Sequence, residues 1–346
     1  MSFLLYGSYG YTGQLILSLA HNAGHRLLLA GRREAPLQEL AQTFGCPYEV
    51  VSLEETEKLD ALLDKFPAVM HAAGPYSRTA RPMAEACIRT GTHYLDVTGE
   101  LEVFELLTRY DQKARAANVM LLPGAGFDVV PTDCLANHLA AQLPDATHLT
   151  LAFKGSGHLS RGTATTVVEN LDKGGMVRRD GKLVAVPTAY KTRSLTFKGK
   201  SYQGMTIPWG DVSTAWHSTG IPNIEVYTVV APSMIKWMKM SNYLGWLLGS
   251  EPVQSFLKNK IDQRPAGPSP GQREKGTSLV WGEAKNEAGQ TVSGRISGPD
   301  GYTLTASAAW CLLQKVLDGN VKPGFQTPAK AYGADLIREI PGCEME

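Results

Sequence analysis

No stretch of this 346-residue chain reaches the roughly 18 uninterrupted apolar residues that a bilayer-spanning helix needs, and we expect neither export nor membrane insertion. Its five cysteines are widely separated, odd in number and without CxxC spacing, which excludes a disulfide framework and a zinc knuckle. The chain also lacks an excess of positive or negative charge. Its net charge is +1, which gives no electrostatic case for a nucleic-acid partner. We expect a cytoplasmic protein with reduced thiols and a small-molecule ligand.

The composition, 43% hydrophobic and 19% charged, is typical of a folded protein, and the length favours two domains. Between residues 2 and 125, short β-type runs alternate with helical patterns, which predicts an α/β Rossmann domain with a doubly wound parallel sheet. Six strands are predicted: SFLLYG, HRLLLAG, PYEVVSL, AVMHAAG, HYLDVTG and VMLLPGAG.

After Pro131 the chain changes to longer strand candidates separated by turn residues, which predicts a second, mixed α/β domain. We assign residues 1–130 to nucleotide binding and residues 131–319 to substrate binding and oligomerisation. Residues 264–276 combine proline, glycine and charge without periodicity, and we expect them to form a mobile surface loop.

Three glycines, Gly7, Gly10 and Gly13, follow the first predicted strand and precede a helical pattern. In a dinucleotide-binding fold, such glycines permit a tight turn, close approach to the pyrophosphate and close packing of helix on strand. The spacing is one residue longer than in GxGxxG, and an ordinary glycine-rich turn is the alternative. The residues expected to contact the cofactor here are Gly7, Ser8, Tyr9, Gly10, Tyr11, Thr12 and Gly13.

Arg32 ends the second predicted strand, where NAD-binding proteins usually place an acidic residue on the ribose diol. A guanidinium binds a 2′-phosphate in a forked geometry, and Arg33 adds a second positive charge. This favours NADP(H) over NAD(H), with two solvated arginines as the alternative.

Two further strand ends are predicted to line the cofactor site. Ser52 follows the third strand, where the adenine would lie, and its alternative is a turn-forming role. Ala73, Gly74 and Pro75 follow the fourth strand, where small residues let the chain pass close under the nicotinamide ribose.

Four blocks, GSYGYTG, AGR, AAGPYSRTARPMAEACIRTGTHYLDVTGE and GAGFDVVPTD, resemble in this order the saccharopine dehydrogenase-like oxidoreductases. The resemblance is strong over residues 1–135. It implies an NAD(P)-binding Rossmann domain, a mixed α/β substrate domain and a C-terminal tail, residues 320–346, that returns to the first domain. Because members similar to trans-acting enoyl reductases share the N-terminal blocks, the resemblance makes reduction of an activated alkene a candidate activity.

Three residues are candidates for proton transfer. Tyr76 is the first, because a phenol after the fourth strand suits a proton donor. Asp128 and His217 follow, and His158 is a further possibility. Packing is the alternative for Tyr76, and bracing of a hinge is the alternative for Asp128. The sequence shows no Ser-His-Asp order, metal-ligand cluster or Walker loop, so we expect no metal.

Residues 231–249 form an apolar, lightly charged stretch with four competing uses: a dimer interface, the wall of an apolar pocket, a membrane-surface contact, or core packing. The sequence as a whole predicts an NADP(H)-dependent oxidoreductase that reduces a small or apolar carbonyl, imine or activated alkene, and that forms a homodimer. The alternatives are a non-catalytic NADP-binding redox sensor, or an interaction or membrane-surface module built on residues 231–249.

Overall fold

A computed structural model describes residues 3–155, 159–197 and 199–346, with the backbone alone at residues 244–247. The chain divides into two compact units. The first comprises Met1–Val130 and Tyr302–Pro341, and the second comprises Pro131–Gly301 and Gly342–Glu346. Within the described ranges, no helix combines the length and apolarity needed to cross a membrane.

The first unit is built on a seven-stranded parallel sheet. Its strands are β1 (Phe3–Tyr6), β2 (Leu27–Gly31), β3 (Tyr48–Val50), β4 (Ala68–His71), β5 (His93–Asp96), β6 (Met120–Leu122) and β15 (Gly324–Phe325). They lie in the order β15, β6, β5, β4, β1, β2, β3. All four residues of β1 are buried, as expected of a strand that is covered on both faces. The predicted Rossmann architecture is confirmed.

Helices join the successive strands from β1 to β6, and two further helices precede and follow β15 in the chain. They are α1 (Tyr11–Asn22), α2 (Glu34–Phe44), α3 (Thr56–Leu63), α4 (Tyr76–Thr90), α5 (Leu101–Thr108), α6 (Asp111–Ala116), α13 (Gly301–Leu317) and α14 (Pro328–Tyr332), with a 3-10 turn at Ala334–Glu339. Several amphipathic patterns produce these helices, and α3 buries Leu59, Leu62 and Leu63 on one face.

The seventh strand comes from the C-terminal part of the chain and is only two residues long. The Gly324 amide donates to the Val119 carbonyl at 2.8 Å, and the Phe325 amide donates to the Asp111 carboxylate at 2.8 Å. A strand of two residues is too short to show a periodic pattern in the sequence. It is recognisable as a strand only from its pairing with β6.

Helix α13 groups with the first unit, whereas the sequence analysis placed residues 302–319 in the second domain. Aromatic contacts hold it there: the Trp310 ring lies 6.1 Å from Phe3, and the Tyr302 ring lies edge-on to Tyr11 at 5.1 Å. The Phe127 amide also donates to the Thr305 hydroxyl.

The second unit is a nine-stranded mixed sheet with helices, which confirms the expected mixed α/β class. Strand β12 pairs with β7 in parallel, and the other pairs are antiparallel. Its strands are β7 (His148–Lys154), β8 (Gly175–Arg179), β9 (Lys182–Val186), β10 (Thr192–Phe197), β11 (Lys200–Thr206), β12 (Asn223–Val229), β13 (Thr277–Lys285), β14 (Thr291–Pro299) and β16 (Glu344–Met345). Its helices are α7 (Val130–Gln142), α8 (Arg161–Glu169), α9 (Asp211–Thr219), α10 (Pro232–Leu248), α11 (Glu251–Asp262) and α12 (Pro270–Lys275).

Two glycines let α7 pack closely on the sheet of the second unit. A β-carbon at Gly282 would stand 2.8 Å from a Leu139 methyl group, and one at Gly294 would stand 3.0 Å from a Leu135 methyl group. The leucines therefore fill the space that side chains on β13 and β14 would occupy.

The expectation of an irregular loop at residues 264–276 is wrong for its second half, which forms α12. The Ser269 hydroxyl accepts from the Gln272 amide, the Gln272 side chain accepts from the Ser269 amide, and Pro270 occupies the first helical position. This capping box supplies the helix with the start that hydrophobic periodicity did not reveal.

Candidate functional site

The loop between β1 and α1 is shaped by close backbone contacts. Gly7 has a φ of +85°, and a β-carbon there would stand 2.7 Å from the Ala73 β-carbon. A β-carbon at Gly13 would stand 2.5 Å from the Gly7 carbonyl oxygen. Glycine is thus required at both positions, and the loop lies against the segment that leaves β4.

The start of α1 has the features of an anion-binding site. Gly10 is its N-cap without a side-chain hydrogen bond, and the first turn contains no acidic residue. The first amides of a helix have no partner within the helix and lie at the positive end of its dipole. Ser8 is fully buried, and its Oγ has no hydrogen-bond partner among the described residues. These groups fit a pyrophosphate, whose oxygens accept hydrogen bonds.

At the end of β2, the Tyr9 side chain of the glycine loop meets the strand and one of the predicted phosphate-binding arginines. The Tyr9 ring lies directly on Gly31, where a β-carbon would stand 2.7 Å from a ring carbon. The Arg33 guanidinium lies over the Tyr9 ring, 4.6 Å from its centre. Arg33 is thereby held next to the loop by a cation–π contact.

Arg32 is exposed at the same strand end and lies near the segment after β3. A hydrogen bond from the Ser52 hydroxyl lowers the pKa of Glu54, and the positive charge of Arg32 acts in the same direction. The structure therefore brings Arg32, Arg33 and Ser52, all predicted cofactor contacts, to neighbouring strand ends of one sheet.

A fixed hydrogen-bond chain holds the segment after β4. The Thr79 hydroxyl donates to the Ala73 carbonyl at 2.7 Å, and His71 Nε2 lies 3.0 Å from the same hydroxyl. Because the hydroxyl uses its proton on Ala73, His71 donates from Nε2. Burial lowers the pKa of His71 to about 3, so the imidazole stays neutral. Residues 73–75, including the cis Gly74–Pro75 bond, are thereby held beside Gly7.

Tyr76 begins α4 and is directed back toward the strand. Its hydroxyl donates to the His71 carbonyl at 3.4 Å, and its ring lies edge-on to the His71 ring at 5.5 Å. Burial raises the pKa of Tyr76 well above its ordinary value. This placement favours the packing alternative, and a role as proton donor stays a prediction.

Glu100 caps the start of α4 across the sheet. Its two carboxylate oxygens accept from the amides of Tyr76 at 3.0 Å and Ser77 at 2.8 Å. A helical pattern is recognisable in the sequence only from Arg81, beside Pro82. It therefore does not predict the first turn of α4, which begins at Tyr76. The Glu100 carboxylate, at the end of another strand, supplies the N-terminal cap that the local sequence lacks, and the helix dipole stabilises its negative charge.

Two carboxyl groups with raised pKa values lie at the end of β5 and in the segment that follows β6. Asp96 is fully buried and accepts from the Tyr94 hydroxyl and from the Thr98 and Gly124 amides, so it braces two loops. Burial raises the pKa of Asp96 to about 6. Burial, together with the nearby Glu100 carboxylate, raises the pKa of Asp128 to about 7.

The structure thus brings two predicted catalytic residues, Tyr76 and Asp128, to one edge of the first unit together with Glu100, which the sequence analysis did not select. His217 lies in the last turn of α9, in the second unit, and is partly buried. His158 lies outside the described residues. Throughout the described chain, no three His, Cys, Asp or Glu side chains are grouped so that they could hold a metal ion.

Comparison with known proteins gives matches that agree with this geometry. Residues 3–122 match the family model described as "Saccharopine dehydrogenase NADP binding domain". Curated relatives include a trans-acting enoyl reductase of Mycobacterium leprae, 32% identical over 38% of this chain and 33% of the relative. They also include a putative trans-acting enoyl reductase of Mycobacterium tuberculosis, 33% identical over 49% and 43% of the two chains. A mouse saccharopine dehydrogenase-like oxidoreductase is 29% identical over 38% and 35%. The matched region thus spans less than half the length of each relative.

Two solved structures share the fold of the whole chain. Saccharopine dehydrogenase (L-Glu forming) from Saccharomyces cerevisiae has a TM-score of 0.67 at 12% identity, covering 100% of this chain and 99% of that one. The homospermidine synthase from Legionella pneumophila, in complex with NAD, has a TM-score of 0.65 at 10% identity, covering 100% and 91%. At these identities the likeness concerns the fold alone.

Proposed function

We propose, from the match of residues 3–122 to the model of the saccharopine dehydrogenase NADP-binding domain, that this chain is an NADP(H)-dependent reductase of a small or apolar carbonyl, imine or activated alkene. The observation that carries the proposal is the glycine loop, where the fully buried Ser8 hydroxyl has no hydrogen-bond partner among the described residues and α1 begins without an acidic residue. Asp128, in the same unit, is the group proposed for proton transfer. The names of the relatives that are enoyl reductases support an activated carbon–carbon double bond within this range of substrates.

The residues that would hold NADP(H) surround the glycine loop. The amides at the start of α1 and the Ser8 hydroxyl would bind the pyrophosphate. Arg32 and Arg33 would bind the 2′-phosphate through charge-assisted hydrogen bonds, which a ribose diol does not offer. When bound, the cofactor supplies the hydride.

Asp128 would supply the proton. Because its carboxylate is disfavoured by burial and by the negative charge of Glu100, the side chain keeps its proton close to neutral pH. A general acid works best when its pKa lies near the operating pH. Asp128 would donate to the substrate atom on which negative charge develops, and Glu100 would keep Asp128 protonated.

The test begins with nucleotide-free protein titrated calorimetrically with NADPH and NADH, followed by a search for NADPH consumption with enones, imines and ketones. We expect tight, selective NADPH binding and consumption with one of these classes. Asp128→Asn should bind NADPH as the wild type does and lose roughly 10²-fold or more in rate, the size of a general-acid effect. Asp64→Asn, which removes an exposed carboxylate of the same unit, is the matched control.

Each part of the proposal has its own contradicting result. Tight NADPH binding without consumption of the nucleotide by any class would favour the non-catalytic redox-sensing alternative. An Asp128→Asn variant as fast as the wild type would remove Asp128 from the mechanism while leaving the cofactor assignment intact.

A further inference from the structure

Two consecutive helices of the second unit expose large apolar side chains to solvent. On α10, the exposed fractions are 50% for Met234, 67% for Trp237, 53% for Met240 and 85% for Tyr243. On α11, Phe256 is 60% exposed. We call these five side chains the aromatic face. Large apolar side chains that are exposed on consecutive helices are candidates for an interaction site.

The orientation of α10 is fixed from its opposite side. Ile235 is buried against Ala189 and Met205. The Asn242 side chain accepts from the Thr188 amide at 2.8 Å and donates to the Thr188 carbonyl at 3.1 Å. These contacts set the rotation of α10 about its axis. One side of the helix is therefore packed against the unit, and the aromatic face is exposed on the other side.

The charge of this surface has one sign on α10. The 17 residues of α10 include Lys236 and Lys239, both exposed, and no aspartate or glutamate. On α11, Lys260 Nζ lies 5.6 Å from the Phe256 ring centre. Lysine stems lie along apolar surface while their ammonium groups reach a polar boundary, and cations there are attracted to anionic headgroups.

We propose that the aromatic face binds the surface of an anionic lipid bilayer, with α10 lying in the plane of the interface. Trp and Tyr combine an apolar ring with a polar group, which suits the boundary between acyl chains and headgroups. Lys236 and Lys239 provide the charge complementarity to anionic lipid. A second copy packed α10 against α10 fits less well, because this would bring lysines together without an acidic residue on either α10. Contact of α10 with the exposed Glu251 or Asp262 of α11 in a second copy is tested below as a contradicting outcome.

The experiment is co-sedimentation of the full chain with vesicles of phosphatidylcholine alone and with vesicles that contain about 30% phosphatidylglycerol, the anionic lipid providing the surface potential. We expect wild type to pellet with the anionic vesicles and to do so at least about tenfold less with phosphatidylcholine alone. Raising the salt concentration to about 1 M should weaken the binding, because the Debye length becomes short.

Double variants test whether the aromatic face and its lysines are the surface that binds the vesicles. Trp237→Glu/Tyr243→Glu should abolish pelleting, and Lys236→Gln/Lys239→Gln should weaken binding to anionic vesicles by about 30-fold, the contribution expected of two surface lysines. Lys182→Gln/Lys200→Gln removes two exposed lysines of the same unit and should change nothing. Because the altered side chains are exposed, the thermal unfolding midpoints should stay close to that of the wild type.

Three results would overturn the proposal. The first is wild-type protein that remains in the supernatant with anionic vesicles. The second is pelleting that Trp237→Glu/Tyr243→Glu does not change. The third is a wild-type dimer, measured by light scattering without lipid, that becomes a monomer in Trp237→Glu/Tyr243→Glu, since that would assign the aromatic face to a second copy.

Discussion

The carboxyl group of Asp128 lies directly against Gly99. A β-carbon at position 99 would stand 2.7 Å from Asp128 Oδ2 and 3.0 Å from the Asp128 β-carbon. Gly99 immediately precedes Glu100, whose carboxylate is fixed on the first amides of α4. The loop after β5 therefore sets both the position of Asp128 and the negative charge beside it.

Gly99→Ala is expected to displace the Asp128 side chain, because the new methyl group occupies its space. The overpacking should cost about 1–3 kcal/mol of the free energy of unfolding and should lower the reductase rate without changing NADPH affinity. Gly271→Ala is the control, since nothing lies within 4 Å of a β-carbon there. Urea unfolding, calorimetry and rate measurements test the prediction, and an unchanged rate would contradict it.

The stability of the wild type should fall relative to Asp128→Asn as the pH rises. The pKa of Asp128 is raised from 3.8 to about 7, so the folded state binds this proton more tightly than the unfolded state. The stabilisation is complete below about pH 4 and is lost as the pH rises through about 7. Asp96 is present in both proteins, so its contribution to the pH dependence cancels in the difference between their free energies of unfolding. Free energies of unfolding at several pH values check this, and parallel curves for the two proteins would refute it.

Glu100→Gln should lower the pKa of Asp128, because the negative charge of Glu100 adds to the effect of burial in raising that pKa. A glutamine still offers one acceptor oxygen to the amides that begin α4. The fall in kcat/KM at high pH should therefore begin at a lower pH than in the wild type. Glu57→Gln, at an exposed position in α3, should leave the profile where it is, and an unshifted Glu100→Gln profile would count against the electrostatic role.

Arg32→Asp should weaken NADPH binding and relatively favour NADH. Loss of a charge-assisted contact to the 2′-phosphate is expected to cost on the order of 1–3 kcal/mol. Arg26→Asp makes the same charge change at another exposed position of the first unit. Calorimetric titration with both nucleotides measures the preference, and equal preference in Arg32→Asp and wild type would remove Arg32 from the site.

Gly10→Val should abolish the binding of both NADPH and NADH. A β-carbon at position 10 already meets the Gly7 carbonyl oxygen at 3.2 Å, and a branched side chain would fill the space needed by the pyrophosphate. Gly271→Val, on the exposed surface of α12, is the matched control. Tight nucleotide binding by Gly10→Val in folded protein would exclude the glycine loop as the phosphate site.

The sequence by itself determined the parallel sheet and the position of the glycine loop. Each rests on a local pattern: buried β-type runs alternating with helical periodicity, and Gly7, Gly10 and Gly13 between a strand and a helix. Such signals are read within about ten residues, because strand pleat, helix period and turn conformation are properties of neighbouring residues.

The tertiary structure alone decided what depends on distant residues. Glu100 extends α4 to Tyr76, and the Asp128 carboxyl group acquires its pKa from burial and from Glu100. For the apolar segment at residues 231–249, the contacts of Ile235 and Asn242 decide which side of α10 is packed and which side is exposed. Burial, charge proximity and helix rotation are set by contacts between residues far apart in the chain, so no local pattern encodes them.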